Sequence, residues 1–313
     1  MMKVLITGGA GFIGSHISHF LVSKGFNVLI YDSFTRSLRE PRYFKVIGVN
    51  TWKGNVRNYS GFLRMLKGFE ADVVIHLAAF IDVVEAFRKP LVYFRNNALG
   101  TAVVAEACRR VGVERVVYAS SAAVYGEPRY LPIDEEHPTE PLSPYGLSKL
   151  VGEWVLRQYA RNYGLEVVIL RLFNVYGSGQ NPAYAGVISR FIERAIEGRP
   201  LIIYGDGLQT RDFVHVADVA EAFYKAIVGN VTGVYNIASG KPVRIIDLAR
   251  MVKEIVGGKV KIRYAPPRKG DIRHSYACIE KAKKELKWEP KKELKVELKK
   301  MIMENIKTLS KYG

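Results

Sequence analysis

The chain has 313 residues, 48% of them hydrophobic and 25% charged, enough for one large α/β unit or two lobes of an ordinary globular protein. No apolar run reaches the roughly 18–20 residues of a membrane helix, and a Gly-rich turn in MMKVLITGGAGFIG stands where a signal peptide would continue its apolar stretch. Two cysteines (Cys108 and Cys278) and six scattered histidines show neither a disulfide framework nor metal-ligand spacing, so a reduced, cytoplasmic protein without a metal is expected. The net charge of +17 invites a nucleic-acid reading. Much of it sits in 281–300, KAKKELKWEPKKELKVELKK, where nine lysines alternate with four glutamates as on a solvated surface helix. No zinc finger or RRM-type aromatic motif accompanies it, and no nucleic-acid partner is expected.

In chain order, KVLIT (3–7), NVLIY (27–31), DVVIHL (72–77), RVVYAS (115–120) and EVVILRL (166–172) read as strands buried on both faces. Helical patterns are predicted over 12–24, 59–67, 90–111 and 144–163. Repeated βα units of this kind give a doubly wound parallel sheet, a Rossmann-type α/β fold, over residues 1–172. Beyond it come a Gly/Asn/Pro/Tyr loop (177–186), an amphipathic helix near 187–198, a short strand LIIY, a helix over 217–228 and a late strand–helix pair. Residues 173–313 are expected to form mostly a smaller interleaved lobe, with a segment of about 212–240 returning to the first domain.

Gly8, Gly11 and Gly14 are spaced G-x-x-G-x-x-G between the first strand and the first helix. Such glycines permit a tight turn and let backbone N–H groups approach a pyrophosphate at a helix N-terminus. Asp32, at the end of the second strand, can accept both ribose hydroxyls of an adenosine and repels a 2′-phosphate, which favours NAD over NADP. Arg36 nearby leaves NADP open.

Tyr145 and Lys149 stand at i and i+4, with Ser143-Pro144 before them as N-cap and first helical residue. A lysine cation beside a phenol favours phenolate and makes tyrosine a usable base. Ser120-Ser121 follow a strand and bring hydroxyls to the carboxyl edge of the sheet, where ligands bind in such folds.

TGGAGFIG, HLAA, YGLSK, RLFNVYG and RDFVHVADVA stand in the order of the extended short-chain dehydrogenase/reductase family, which the chain resembles over essentially its full length. Within that family it resembles the UDP-galactose (UDP-glucose) 4-epimerases. The resemblance assigns Ser121, Tyr145 and Lys149 to catalysis. It assigns Phe12, Ile13, Asp32, Ser33, Ser37, Asn55, Val56, Leu77, Ala78, Ala79, Asn97 and Phe173, beside Tyr145 and Lys149, to contact with NAD. Asn55 departs from the family's usual Asp but can still hydrogen-bond adenine.

For the substrate, the resemblance implies diphosphate contacts from Asn174, Arg211 and Arg268, and a ribose contact from Asp271. It also implies an aromatic, Tyr204, on uracil, with Ser121, Val187 and Ser275 completing the pocket. Two guanidinium groups suit a diphosphate, because arginine forms bidentate charged hydrogen bonds; the basic surface suits the same dianion. Ala122-Ala123 stand where the related dehydratases need an Asp-Glu pair, so water elimination is disfavoured. Ser275 stands where members confined to plain hexoses carry tyrosine, which leaves room for an N-acetyl group. The expected activity is NAD-dependent 4-epimerisation of UDP-galactose and UDP-glucose, extended to UDP-GalNAc and UDP-GlcNAc. By the same resemblance a homodimer is expected, built on 90–111 and 144–163. Two rivals stay open: another nucleotide-sugar epimerase or reductase of this fold, and a non-catalytic, RNA-associated NAD-binding protein.

Overall fold

Alternation inside the buried runs builds the central sheet. In β1 (Lys3–Thr7), Val4 and Ile6 face one apolar core while Leu5 faces another. The same period of two recurs in β2 (Asn27–Asp32), where Val28 and Ile30 oppose Leu29 and Tyr31. Both faces must therefore be covered by helices. The protein, a computed structural model, is described over residues 1–37, 39–267 and 271–309.

Four more strands follow in the first half: β3 (Asn50–Lys53), β4 (Val73–His76), β5 (Arg115–Ser121) and β6 (Glu166–Leu172). After β7 (Asn174–Tyr176), β8 (Leu201–Tyr204) and β9 (Thr210–His215), β10 (Gly233–Ile237) returns to the sheet, and β11 (Pro242–Arg244) and β12 (Ile262–Ala265) complete the strands. The seven-stranded sheet has the order β10-β6-β5-β4-β1-β2-β3, and every pair in it is parallel. The doubly wound fold expected from the sequence is thus present. Its β1/β4 neighbours mark the point where strand order reverses and a ligand crevice opens.

The helices are α1 (Phe12–Ser23), α2 (Pro41–Val46), α3 (Tyr59–Phe69), α4 (Val83–Arg88), α5 (Pro90–Tyr93), α6 (Gly100–Val111), α7 (Pro144–Tyr163), α8 (Val187–Ile196), α9 (Val216–Val228), α10 (Ile245–Ile255) and α11 (Leu294–Leu309). A π-helical stretch, Phe94–Leu99, joins α5 to α6, so residues 90–111 run as the single rod expected. Helices α1 and α9 cover one sheet face; α3, α6 and α7 cover the other. A third core lies between α8, α10 and α11 around Phe191, Leu248 and Ile302, beside the pairs β8–β12 and β9–β11.

The basic segment 281–300 differs from the single surface helix expected. A short π-helical turn, Ala282–Leu286, ends where Lys287 takes a left-handed conformation (φ 51°), and Pro290 keeps the next residues out of the helix. Between them Trp288 is buried, its indole N–H donating to the Asp218 carbonyl at 2.8 Å. Eight of the nine lysines remain exposed.

Candidate active site

The turn after β1 is shaped by its glycines. Gly8 has φ 70°, and a Cβ there would stand 2.7 Å from the backbone of Ala78 after β4. A Cβ on Gly14 would lie 2.6 Å from Gly9 Cα, so α1 packs onto the turn only because Gly14 has no side chain. The N-terminus of α1 therefore opens into a cleft of about 490 Å³. Gly8, Gly11, Gly14, Phe12 and Ile13 line one side of it.

Asp32 also lines the cleft, its carboxylate oriented by backbone N–H donors from Ala10 (3.0 Å) and Phe34 (2.8 Å). Burial pushes this carboxyl above its ordinary value, and those N–H bonds oppose the shift. Ser33, Ser37, Asn55, Val56, Leu77, Ala78, Ala79 and Phe173 share the wall. Asn97 does not. It is buried behind the wall, bonded to both backbone groups of Phe80 and donating to Ser148 Oγ at 2.9 Å, so it braces the strand end against α7.

Arg36 reaches the wall already paired. Its guanidinium makes a two-pronged bond to Glu85 of α4 (2.6 and 3.0 Å) and lies 3.7 Å over the Phe80 ring, with Tyr184 at 5.7 Å. Asn181 donates to the Arg36 carbonyl at 3.2 Å, and Arg39 to the Gly179 carbonyl at 3.4 Å. The loop after β2 is thereby strapped across the cleft to the loop after β7. Sequence reasoning missed Glu85, Phe80, Asn181 and Tyr184; the Gly/Asn/Pro/Tyr composition of 177–186 was the available signal.

At the other end, Ser143 caps α7 by accepting from Gly146 N at 3.0 Å, with Pro144 in the first turn. This start brings Tyr145 and Lys149 onto the cleft wall beside Ser121 of β5. The Ser121 hydroxyl on the same wall pulls the Tyr145 phenol pKa down, against a larger upward push from burial. Lys149 is 3% exposed, its Nζ 4.3 Å over the Tyr118 ring, and burial drives its amine down to about 7. Beneath them His76 is fully buried between Thr7 (2.7 Å) and Thr101 (3.0 Å), and burial takes it to about 3, a neutral imidazole. A phenol, a hydroxyl and an amine thus converge where a proton can be taken from a bound alcohol.

Of the residues expected to hold substrate, Asn174 and Val187 line the cleft, and Asn174 Nδ2 donates to the Asp212 carbonyl at 3.1 Å. Arg211 and Asp271 form an ion pair. Tyr204 ends β8 half-exposed, its carbonyl accepting from Gln209 at 2.7 Å. Ser275 is buried, with its N–H on the Thr210 carbonyl at 3.2 Å. These four lie around β9, outside the cleft wall itself. Arg268 lies outside the described residues.

Residues 4–238 match the NAD dependent epimerase/dehydratase family. A putative UDP-glucose 4-epimerase from Methanocaldococcus jannaschii is 42% identical over 289 residues, 92% of this chain and 93% of that one. Among solved structures, a UDP-glucose 4-epimerase from Thermotoga maritima with UDP-glucose superposes with a TM-score of 0.94 at 35% identity, covering 98% of this chain and 100% of that one. A UDP-N-acetylglucosamine 4-epimerase from Methanobrevibacter ruminantium, in complex with UDP-N-acetylmuramic acid, gives 0.91 at 32% identity, covering 98% and 99%. With three-quarters of its length matched and every strand of the sheet in place, the chain belongs to the NAD dependent epimerase/dehydratase family.

Proposed function

We propose that the protein is an NAD-dependent UDP-hexose 4-epimerase that interconverts UDP-galactose and UDP-glucose. The observation that carries this reading is the convergence of Ser121, Tyr145 and Lys149 on the same cleft as Asp32 and the glycine turn. Two features fit NAD in particular. The glycine turn leaves a side-chain-free cradle at the N-terminus of α1, and Asp32 presents a carboxylate while Arg36, the nearby cation, is occupied by Glu85.

Bound NAD supplies a hydride acceptor and donor for C4 of the sugar. Tyr145 takes the proton of the 4-hydroxyl, and Ser121, on the same wall, bridges the two oxygens. Lys149, one helical turn on and lining the same cleft, is the cation placed to offset the burial that makes the Tyr145 phenolate unfavourable. The resemblance gives Arg211, Arg268 and Asn174 to the diphosphate, Tyr204 to uracil and Asp271 to the ribose, and of these Asn174 lines the cleft. Held by its nucleotide alone, the oxidised sugar would be free to present its other face to the cofactor. Ala122 and Ala123 add no acid or base to the wall, so reduction at C4 completes the cycle and water is not eliminated. Substrate labelled with deuterium at C4 tests this: the reading requires the label to remain at C4 of the product, and loss of label to solvent contradicts it.

The small Ser275 supports acceptance of UDP-GalNAc and UDP-GlcNAc, as does the likeness to a UDP-N-acetylglucosamine 4-epimerase. Ser275→Tyr is expected to lose the N-acetylated substrates selectively; equal loss of both classes would contradict it. A homodimer is the further expectation. Phe87, Leu91, Leu99 and Trp154 are each more than half exposed on α4, α5, the π-helical stretch and α7, an apolar face that a second copy would cover.

A further inference from the structure

One ionised cluster beside the reacting groups has no part in the proton transfer described above. Glu153 of α7 lies one turn beyond Lys149, and its carboxylate is fully buried. The two elements that carry the reacting groups, β5 and α7, meet β6 on it. Ser120 of β5, next to Ser121, donates to Oε1 at 2.5 Å. Arg171 of β6, two residues before Phe173, donates through Nε to Oε1 (3.0 Å) and through Nη2 to Oε2 (2.7 Å). Arg157, a turn further along α7, stands 3.7 Å from Oε2. Arg171 is itself buried, lying 4.7 Å over the Tyr125 ring and donating to the Glu135 carbonyl at 3.3 Å.

A buried ion pair is weak evidence for stability, since its desolvation offsets much of its attraction. Its placement here has a chemical consequence. Among the described residues, neutral groups flank Lys149: His76 of β4 and Tyr118 of β5, with Tyr145 one turn before it on its own helix. On other elements packed against α7, Glu85 of α4 is paired with Arg36, and Glu106 of α6 with Arg109 and Arg110. Burial disfavours the Lys149 cation, and Glu153 is the group that opposes it.

We propose that Glu153 is a positioning residue of the epimerase reaction: its buried carboxylate pins the Ser121 strand, the Arg171 strand and the Tyr145–Lys149 helix in one register, and its charge keeps Lys149 cationic beside Tyr145. The inference rests on the epimerase reading. It assigns Glu153 no contact with substrate or cofactor.

The test separates charge from shape. Wild-type conversion of UDP-galactose is measured first and reports on the epimerase reading alone. Turnover against pH is then compared for Glu153→Gln, which keeps the shape and loses the charge, and Glu153→Asp, which keeps the charge and shortens the reach. The Lys149 cation is present below its pKa and lost as pH rises through it. Glu153→Gln therefore moves the alkaline limb of the profile down by about one pH unit, with turnover about tenfold lower at pH 8. Glu153→Asp keeps the limb near its wild-type position while melting earlier. Equal alkaline limbs in wild type and Glu153→Gln would overturn the proposal, whatever the melting temperatures. If Glu153→Gln does not fold, the ε-methylene ¹³C resonance of Lys149 in the wild-type holoenzyme reads the charge without turnover. An ammonium at pH 6 is expected, and a neutral amine at that pH would overturn it.

Discussion

The loop after β2 borders the cleft, and its Arg36 side chain ties it to α4; NAD release is predicted to require this tie to open. The Arg36–Glu85 pair is bidentate, with side chains 28% and 23% exposed. Arg36 holds the Glu85 carboxyl down to about 2, so the pair persists throughout the neutral range. A partly exposed pair of this geometry contributes about 1 kcal/mol, and the guanidinium over Phe80 at 3.7 Å adds about 1 kcal/mol more. Glu85→Gln removes the first contribution and Arg36→Ala removes both. The opening equilibrium, and with it the NAD release rate, is predicted to rise roughly fivefold in Glu85→Gln and roughly thirtyfold in Arg36→Ala. The assay is the loss of protein-bound NAD, followed by fluorescence after dilution into a scavenging dehydrogenase, at low and high salt. Unchanged release in both variants, or a larger effect in Glu85→Gln than in Arg36→Ala, would refute the reasoning.

Gly14→Ala places a methyl 2.6 Å from Gly9 Cα and 2.7 Å from the Gly8 carbonyl oxygen; it is expected to cost about 2 kcal/mol in urea unfolding and to abolish NAD binding. Unimpaired NAD binding would show that the turn yields more than its packing suggests. His76 is held neutral by burial, its pKa depressed from 6.5 to about 3, so between those values the unfolded chain binds a proton that the folded chain does not. Stability is therefore lost as pH falls below about 6.5, by up to about 1.4 kcal/mol per pH unit from this group. His76→Asn is expected to flatten that slope in denaturant titrations at pH 7, 6 and 5, and an unchanged slope would contradict the assignment.

The parts legible in the sequence are those whose physics is local. Gly8, Gly11 and Gly14 act within one turn, Ser143-Pro144 caps the helix that begins there, and the alternating cores follow from apolar runs such as KVLIT. Long-range pairing was not legible. Nothing near Arg36 announces Glu85, 49 residues away, and nothing near Lys149 announces the Ser120–Glu153–Arg171 cluster. β3 escaped notice because Asn50 and Trp52 leave an edge strand largely exposed, and α2 because six residues carry too little periodicity. The basic segment misled because composition reports the exposed lysines, whereas the break at Lys287 depends on burying Trp288 against α9.

The central claim is that Ser121, Tyr145 and Lys149 carry out epimerisation at C4. Purified protein incubated with UDP-galactose, with and without added NAD, tests it most directly when compared with Tyr145→Phe. UDP-glucose formed by the wild type and reduced by at least about a hundredfold in Tyr145→Phe, which retains the fold and bound NAD, is the predicted result. Undiminished turnover in Tyr145→Phe, or no conversion of any UDP-hexose by NAD-loaded wild type, would contradict it.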